Sequence, residues 1–141
     1  MKLLFPVDGS DCALTALDKF ASIVPLLFRT PELVLINVQL PLPYPRAIAV
    51  LGKEVVAQYY EVQSGEELAG ARKRLEQSGL TFRVEKRIGD PSQEIVNFAE
   101  TEQCEMIAMG TRGRTALTNL VMGSVATKVL AASKVPVLFL K

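Results

Sequence analysis

Three glycines and a serine carry the clearest chemical pattern in the chain. Gly110-Thr111-Arg112-Gly113-Arg114-Thr115 leaves an apolar run and Gly123-Ser124-Val125 opens a helical one, with nine residues between the second and third glycines. A phosphate chain needs backbone N–H groups at close range, and glycine alone permits both that approach and the positive φ values that turn successive amides inward. A helix starting near Ser124 adds unpaired amides and the positive end of its dipole, while the Ser124 hydroxyl offers one more donor. Arg112 and Arg114 flank this cradle, where they can neutralise phosphate charge or close over it. Taken singly, Gly110 and Gly113 also suit a turn and Gly123 a tight helix contact. Their matched spacing on a strand, loop and helix favours the ligand. Neither GxxxxGK[ST] nor a GxGxxG after the first strand occurs, which disfavours P-loop and dinucleotide readings.

Composition removes other chemistries. Histidine is absent, and with it the usual general base, the Ser-His-Asp and Cys-His pairs and histidine-containing zinc sites. Cys12 and Cys104 stand far apart without CxxC spacing, so reduced, buried thiols are expected rather than a metal site or disulfide framework. Sixteen basic and fifteen acidic residues give a net charge of +1, which speaks against a general nucleic-acid surface. The basic stretches Arg72–Arg74 and Lys86-Arg87 are interleaved with Glu67, Glu76 and Glu85 and read as solvated faces. With 141 residues, 49% of them hydrophobic, one domain over residues 1–141 can bury about 68% of its unfolded surface and needs no disulfide or metal for stability. The N-terminal apolar run stops at Pro6 and Asp8, too short for a signal-peptide core or membrane span, so a cytoplasmic location and no membrane partner are expected.

The elements that must position the glycines alternate along the chain. Lys2 to Val7 reads as a strand. After Asp8-Gly9, Ser10 or Asp11 caps a helix with Leu14, Leu17, Ala21 and Val24 on its apolar face, ended by Pro25. Leu33 to Val38 is aliphatic enough for a central strand buried on both faces. Pro41, Pro43 and Pro45 impose an extended loop that could cover a site. Ile48 to Gln77 has helical spacing, with Gly65 and Gly70 as the expected bend or break. Thr81 to Ile88 alternates like an edge strand. Asp90-Pro91-Ser92-Gln93 starts a helix. Met106 to Met109 is a buried strand, Ser124 to Ala132 a helix, and Val135 to Leu140 a last apolar strand.

Five strands separated by four helices predict a three-layer α/β/α sandwich around a mainly parallel, Rossmann-like sheet. Ligands in such sheets bind beyond the carboxyl ends of the strands where the winding reverses, so the loops after Val7, Val38 and Met109 should converge.

On these residues the chain resembles the universal stress proteins, whose nucleotide-binding branch carries G-x2-G-x9-G-[ST] at this place. The match runs from Pro6-Val7-Asp8-Gly9-Ser10 through Met109-Gly110-Thr111-Arg112-Gly113 to Val135-Pro136-Val137. The resemblance implies the adenine nucleotide alpha hydrolase-like fold and an adenine nucleotide, ATP before AMP or ADP, with Mg2+ or Mn2+ accompanying it. It places Gly110, Gly113, Gly123, Ser124 and Val125 on phosphates, with Pro6, Val7, Asp8, Val38 and Met109 around base and ribose. Asp8 could alternatively cap the following turn. Asn37 stands where histidine is frequent in that family. The resemblance also implies a homodimer pairing the last strands antiparallel. The sequence supports this, since Val137, Leu138, Phe139 and Leu140 would be an aggregation-prone edge if bare.

The leading expectation is a nucleotide-dependent stress-response regulator with an unknown protein partner. The alternatives are a slow ATP hydrolase or phosphotransferase and a ligand-free dimeric module. Phosphoryl transfer finds little help, with Asp8 the only acid placed near the cradle and no Walker lysine, so no catalytic residue is assigned.

Overall fold

The computed structural model describes residues 1–113 and 122–141. Strands β1 (Lys2–Pro6), β2 (Glu32–Gln39), β3 (Phe82–Ile88), β4 (Met106–Gly110) and β5 (Val137–Leu140) form one sheet in the order β3-β2-β1-β4-β5. All four neighbouring pairs run parallel. The helices are α1 (Asp11–Leu27), α2 (Pro45–Leu51), α3 (Lys53–Ser78), α4 (Pro91–Thr101) and α5 (Ser124–Ala132).

Alternation along the buried strands splits the core in two, as the period of two requires. Leu3 and Phe5 of β1 with Leu33 and Leu35 of β2 face Leu17, Phe20 and Val24 of α1 and Leu68 and Leu75 of α3. Leu4, Val34, Ile36 and Ile107 face the other way, onto Ile95 and Phe98 of α4 and Val129 of α5. The sandwich expected from the sequence is therefore present, with β3 on an edge and β2 in the interior.

Local signals explain most boundaries. The Ser10 hydroxyl accepts from the Ala13 N–H at 3.2 Å and starts α1. Asp90 accepts from the Gln93 N–H at 3.0 Å with Pro91 at the first turn of α4. The left-handed Gly79, φ 74°, closes α3.

Several expectations need correction. Pro25 does not end α1, which continues to Leu27. Pro45 does not extend the proline loop but opens α2, where its missing N–H costs nothing. The break between α2 and α3 falls at Gly52, φ 88°, not at Gly65 or Gly70, so there are five helices among the described residues where four were expected. Gly70 serves close packing: a Cβ there would lie 3.2 Å from Leu14 Cδ1. Strand β1 stops at Pro6 and β5 begins at Val137, slightly inside their expected limits.

Candidate functional site

The chain builds outward from β1 to β2 and β3 on one side, then places β4 and β5 on the other. The reversal thus lies between β1 and β4, whose carboxyl ends lead into Asp8 and Thr111. A cavity of about 670 Å³ opens there. Pro6, Val7, Asp8 and Val38 line it from β1 and β2; Met109, Gly110, Arg112, Gly113, Gly123, Ser124 and Val125 line it from β4 and α5. Arg114 lies outside the described residues.

Asp8 performs two tasks. Its Oδ1 accepts from the Ser10 N–H at 2.9 Å, which is the turn-capping role. Its Oδ2 faces Gly113, where a Cβ would come within 2.6 Å of it. Gly113 is therefore small because the carboxylate occupies the space a side chain would need. Gly123 is under no such pressure, since its nearest would-be neighbours begin at 3.5 Å.

The cradle differs in one respect from expectation. The Gly123 N–H donates to the Thr111 carbonyl at 2.6 Å, so that amide is spent within the loop rather than offered to a phosphate. The first bond internal to α5 runs from the Thr127 N–H to the Gly123 carbonyl at 3.0 Å. The amides of Ser124, Val125 and Ala126 precede it and have no helical acceptor. The amides without a helical acceptor at this end of the cavity thus belong to the first turn of α5, which Gly123 precedes as N-cap.

Sequence reasoning missed the polar wall opposite. Asn37 of β2 is fully buried; its Nδ2 donates to the Val7 carbonyl at 2.9 Å and to Glu67 Oε2 at 2.7 Å. Its Oδ1 accepts from the Ser64 hydroxyl at 2.8 Å and from Gln39 Nε2 at 3.0 Å. Gln39 Nε2 also reaches Glu67 Oε2 at 2.8 Å. Glu67 lines the cavity, so Asp8 is not the only acid at the site. Only the helical period of α3, which puts Glu67 beside the buried Ser64 and Leu68, could have signalled this. Leu40, Pro41, Leu42 and Pro43, which follow β2, also line the cavity, as does Tyr59 of α3.

A shallower cleft of about 600 Å³ shares Asp8, Glu67 and Gly113 with the cavity and extends along Ser10, Asp11 and Cys12. Cys12 is half-buried rather than buried as expected, whereas burial holds the Cys104 thiol above its usual pKa. Among the described residues no group of three His, Cys, Asp or Glu side chains is placed to hold a metal, and no helix is long and apolar enough to cross a membrane.

The model of the universal stress protein family matches residues 1–141. The chain belongs to that family. It is 32% identical to universal stress protein MJ0531 of Methanocaldococcus jannaschii over 140 residues, covering 99% of this chain and 81% of that one. The solved structure of MJ0577, a universal stress protein from the same organism, superposes with a TM-score of 0.79 at 29% identity, covering 99% of this chain and 94% of that one. The universal stress protein of Archaeoglobus fulgidus, solved in complex with dAMP, superposes with a TM-score of 0.71 at 23% identity over 100% of this chain and 98% of that one; at that identity the likeness concerns the fold.

Proposed function

We propose that this universal stress protein is a single-domain cytoplasmic regulator. It binds an adenine nucleotide, ATP in preference to AMP or ADP, in the cavity between the ends of β1 and β4. The reading rests above all on one arrangement: the three amides leading into α5 and the apolar residues Val38 and Met109 border a single cavity. The amides and the helix dipole suit a phosphate chain, and the apolar walls suit a base. Arg112, exposed at the mouth, can neutralise the outer phosphates. The dAMP held by the Archaeoglobus fulgidus relative is an adenine nucleotide on the same fold.

A divalent ion, Mg2+ or Mn2+, would enter with the phosphates and be held chiefly by them. Nucleotide occupancy would set the affinity for a regulatory partner. Two copies would join through β5. The Ile107 N–H donates to the Pro136 carbonyl and the Thr111 N–H to the Leu140 carbonyl, so the intervening Val137 and Phe139 turn their backbone groups to the free edge.

Calorimetry with ATP tests the nucleotide reading. One ATP per chain is expected for the wild type and a loss of binding for Gly113→Val, whose side chain would collide with Asp8. Unchanged affinity in the valine variant would overturn it.

A further inference from the structure

Glu67 does something the glycine pattern does not require. It sits on α3, on the face of the sheet opposite α5, and lines both the main cavity and the cleft beside it. Two side-chain amides, Asn37 Nδ2 at 2.7 Å and Gln39 Nε2 at 2.8 Å, converge on its Oε2. Asn37 is itself pinned by the Val7 carbonyl and the Ser64 hydroxyl, so the carboxylate is anchored to β1, β2 and α3 at once. A backbone contact completes its placement: a Cβ on Gly9 would meet Glu67 Cα at 3.1 Å, so the turn after β1 lies directly against it.

A fixed carboxylate accepts hydrogen bonds from hydroxyl or amino groups and repels phosphate. Its two amide donors stand on β2, which is two strand spacings, about 10 Å, from β4, with β1 between them. A ligand spanning the cavity with its anion at α5 would present its uncharged, hydroxyl-bearing part here. Resting on the nucleotide reading above, we propose that Glu67 is a specificity-determining residue that accepts a hydrogen bond from a ribose hydroxyl, so that the site selects ribonucleotides over their deoxy counterparts.

The test is the affinity of AMP, 2′-deoxy-AMP and 3′-deoxy-AMP for the wild type and for Glu67→Gln, with folding followed by circular dichroism. In the wild type, removal of one hydroxyl is expected to weaken binding about tenfold or more, the range for a hydrogen bond to a charged group. Glu67→Gln should weaken AMP and leave that deoxy analogue nearly unchanged, closing the gap between them. If Glu67→Gln weakens all three ligands equally, or none, the inference fails while the nucleotide reading stands. If the wild type binds neither AMP nor ATP, the nucleotide reading fails and this inference with it; if it binds ATP alone, the same comparison is made with ATP, 2′-deoxy-ATP and 3′-deoxy-ATP. Should Glu67→Gln not fold, Gln39→Leu removes one of the two donors that hold the carboxylate. A narrowed AMP to deoxy-AMP ratio then supports the role, and an unchanged ratio overturns it.

Discussion

Gly113 and Asp8 are matched across the gap between β4 and β1: a methyl group on Gly113 would lie 2.6 Å from Asp8 Oδ2, closer than any real Cβ contact. At Gly123 the corresponding distance is 3.5 Å. Gly113→Ala should therefore push the Asp8 carboxylate aside and lower ATP affinity about tenfold or more, the scale of one lost charged hydrogen bond. Gly123→Ala meets no such contact, and its cost is confined to the N-cap of α5, at most about 1 kcal/mol. Calorimetry and thermal melts on the two variants separate the steric demands of the glycines.

Asn37 makes four hydrogen bonds while fully buried. Its replacement by alanine leaves Ser64, Gln39, Glu67 and the Val7 carbonyl each short of a partner. Asn37→Ala is expected to cost about 2–3 kcal/mol, read as a fall in the urea midpoint at unchanged m-value.

The glycine pattern was legible because glycine signals act locally, and the crossover order followed from the alternation of apolar runs. Glu67 was not legible. It carries no motif and reaches the site only because the folded sheet brings α3 against the ends of β1 and β2. The helix break was misplaced for a related reason: Gly52, Gly65 and Gly70 look alike in sequence. Only packing distinguishes Gly70, pressed on Leu14, from the positive-φ joint at Gly52. Nor could spacing show that the Gly123 amide is consumed by Thr111.

Val137 turns its backbone to the free edge of the sheet. Val137→Pro removes a donor there while sparing the bonds of β5 to β4. Sedimentation velocity should show a dimer for the wild type and a monomer for the variant; a dimer that persists in both contradicts pairing through β5.

The Ser92 hydroxyl and then the Gln93 amide hold the Asp90 carboxyl below its usual pKa. The folded value is lowered, so the stabilisation is full above about pH 5 and drains away as pH falls from about 3.9, the ordinary aspartate value, through the folded value. Asp90 is exposed and screened, which leaves chiefly its capping effect of about 1 kcal/mol. Asp90→Ala should lower Tm by about 3 °C at pH 7, a difference that shrinks at pH 3.

The proposed phosphate end of the cavity is most directly tested by titrating ATP into isotope-labelled protein and following the backbone amides at the start of α5. Saturable shifts are expected at Ser124, Val125 and Ala126, absent with adenosine at the same concentration. Amides there that stay still while ATP binds elsewhere, or does not bind, would contradict it.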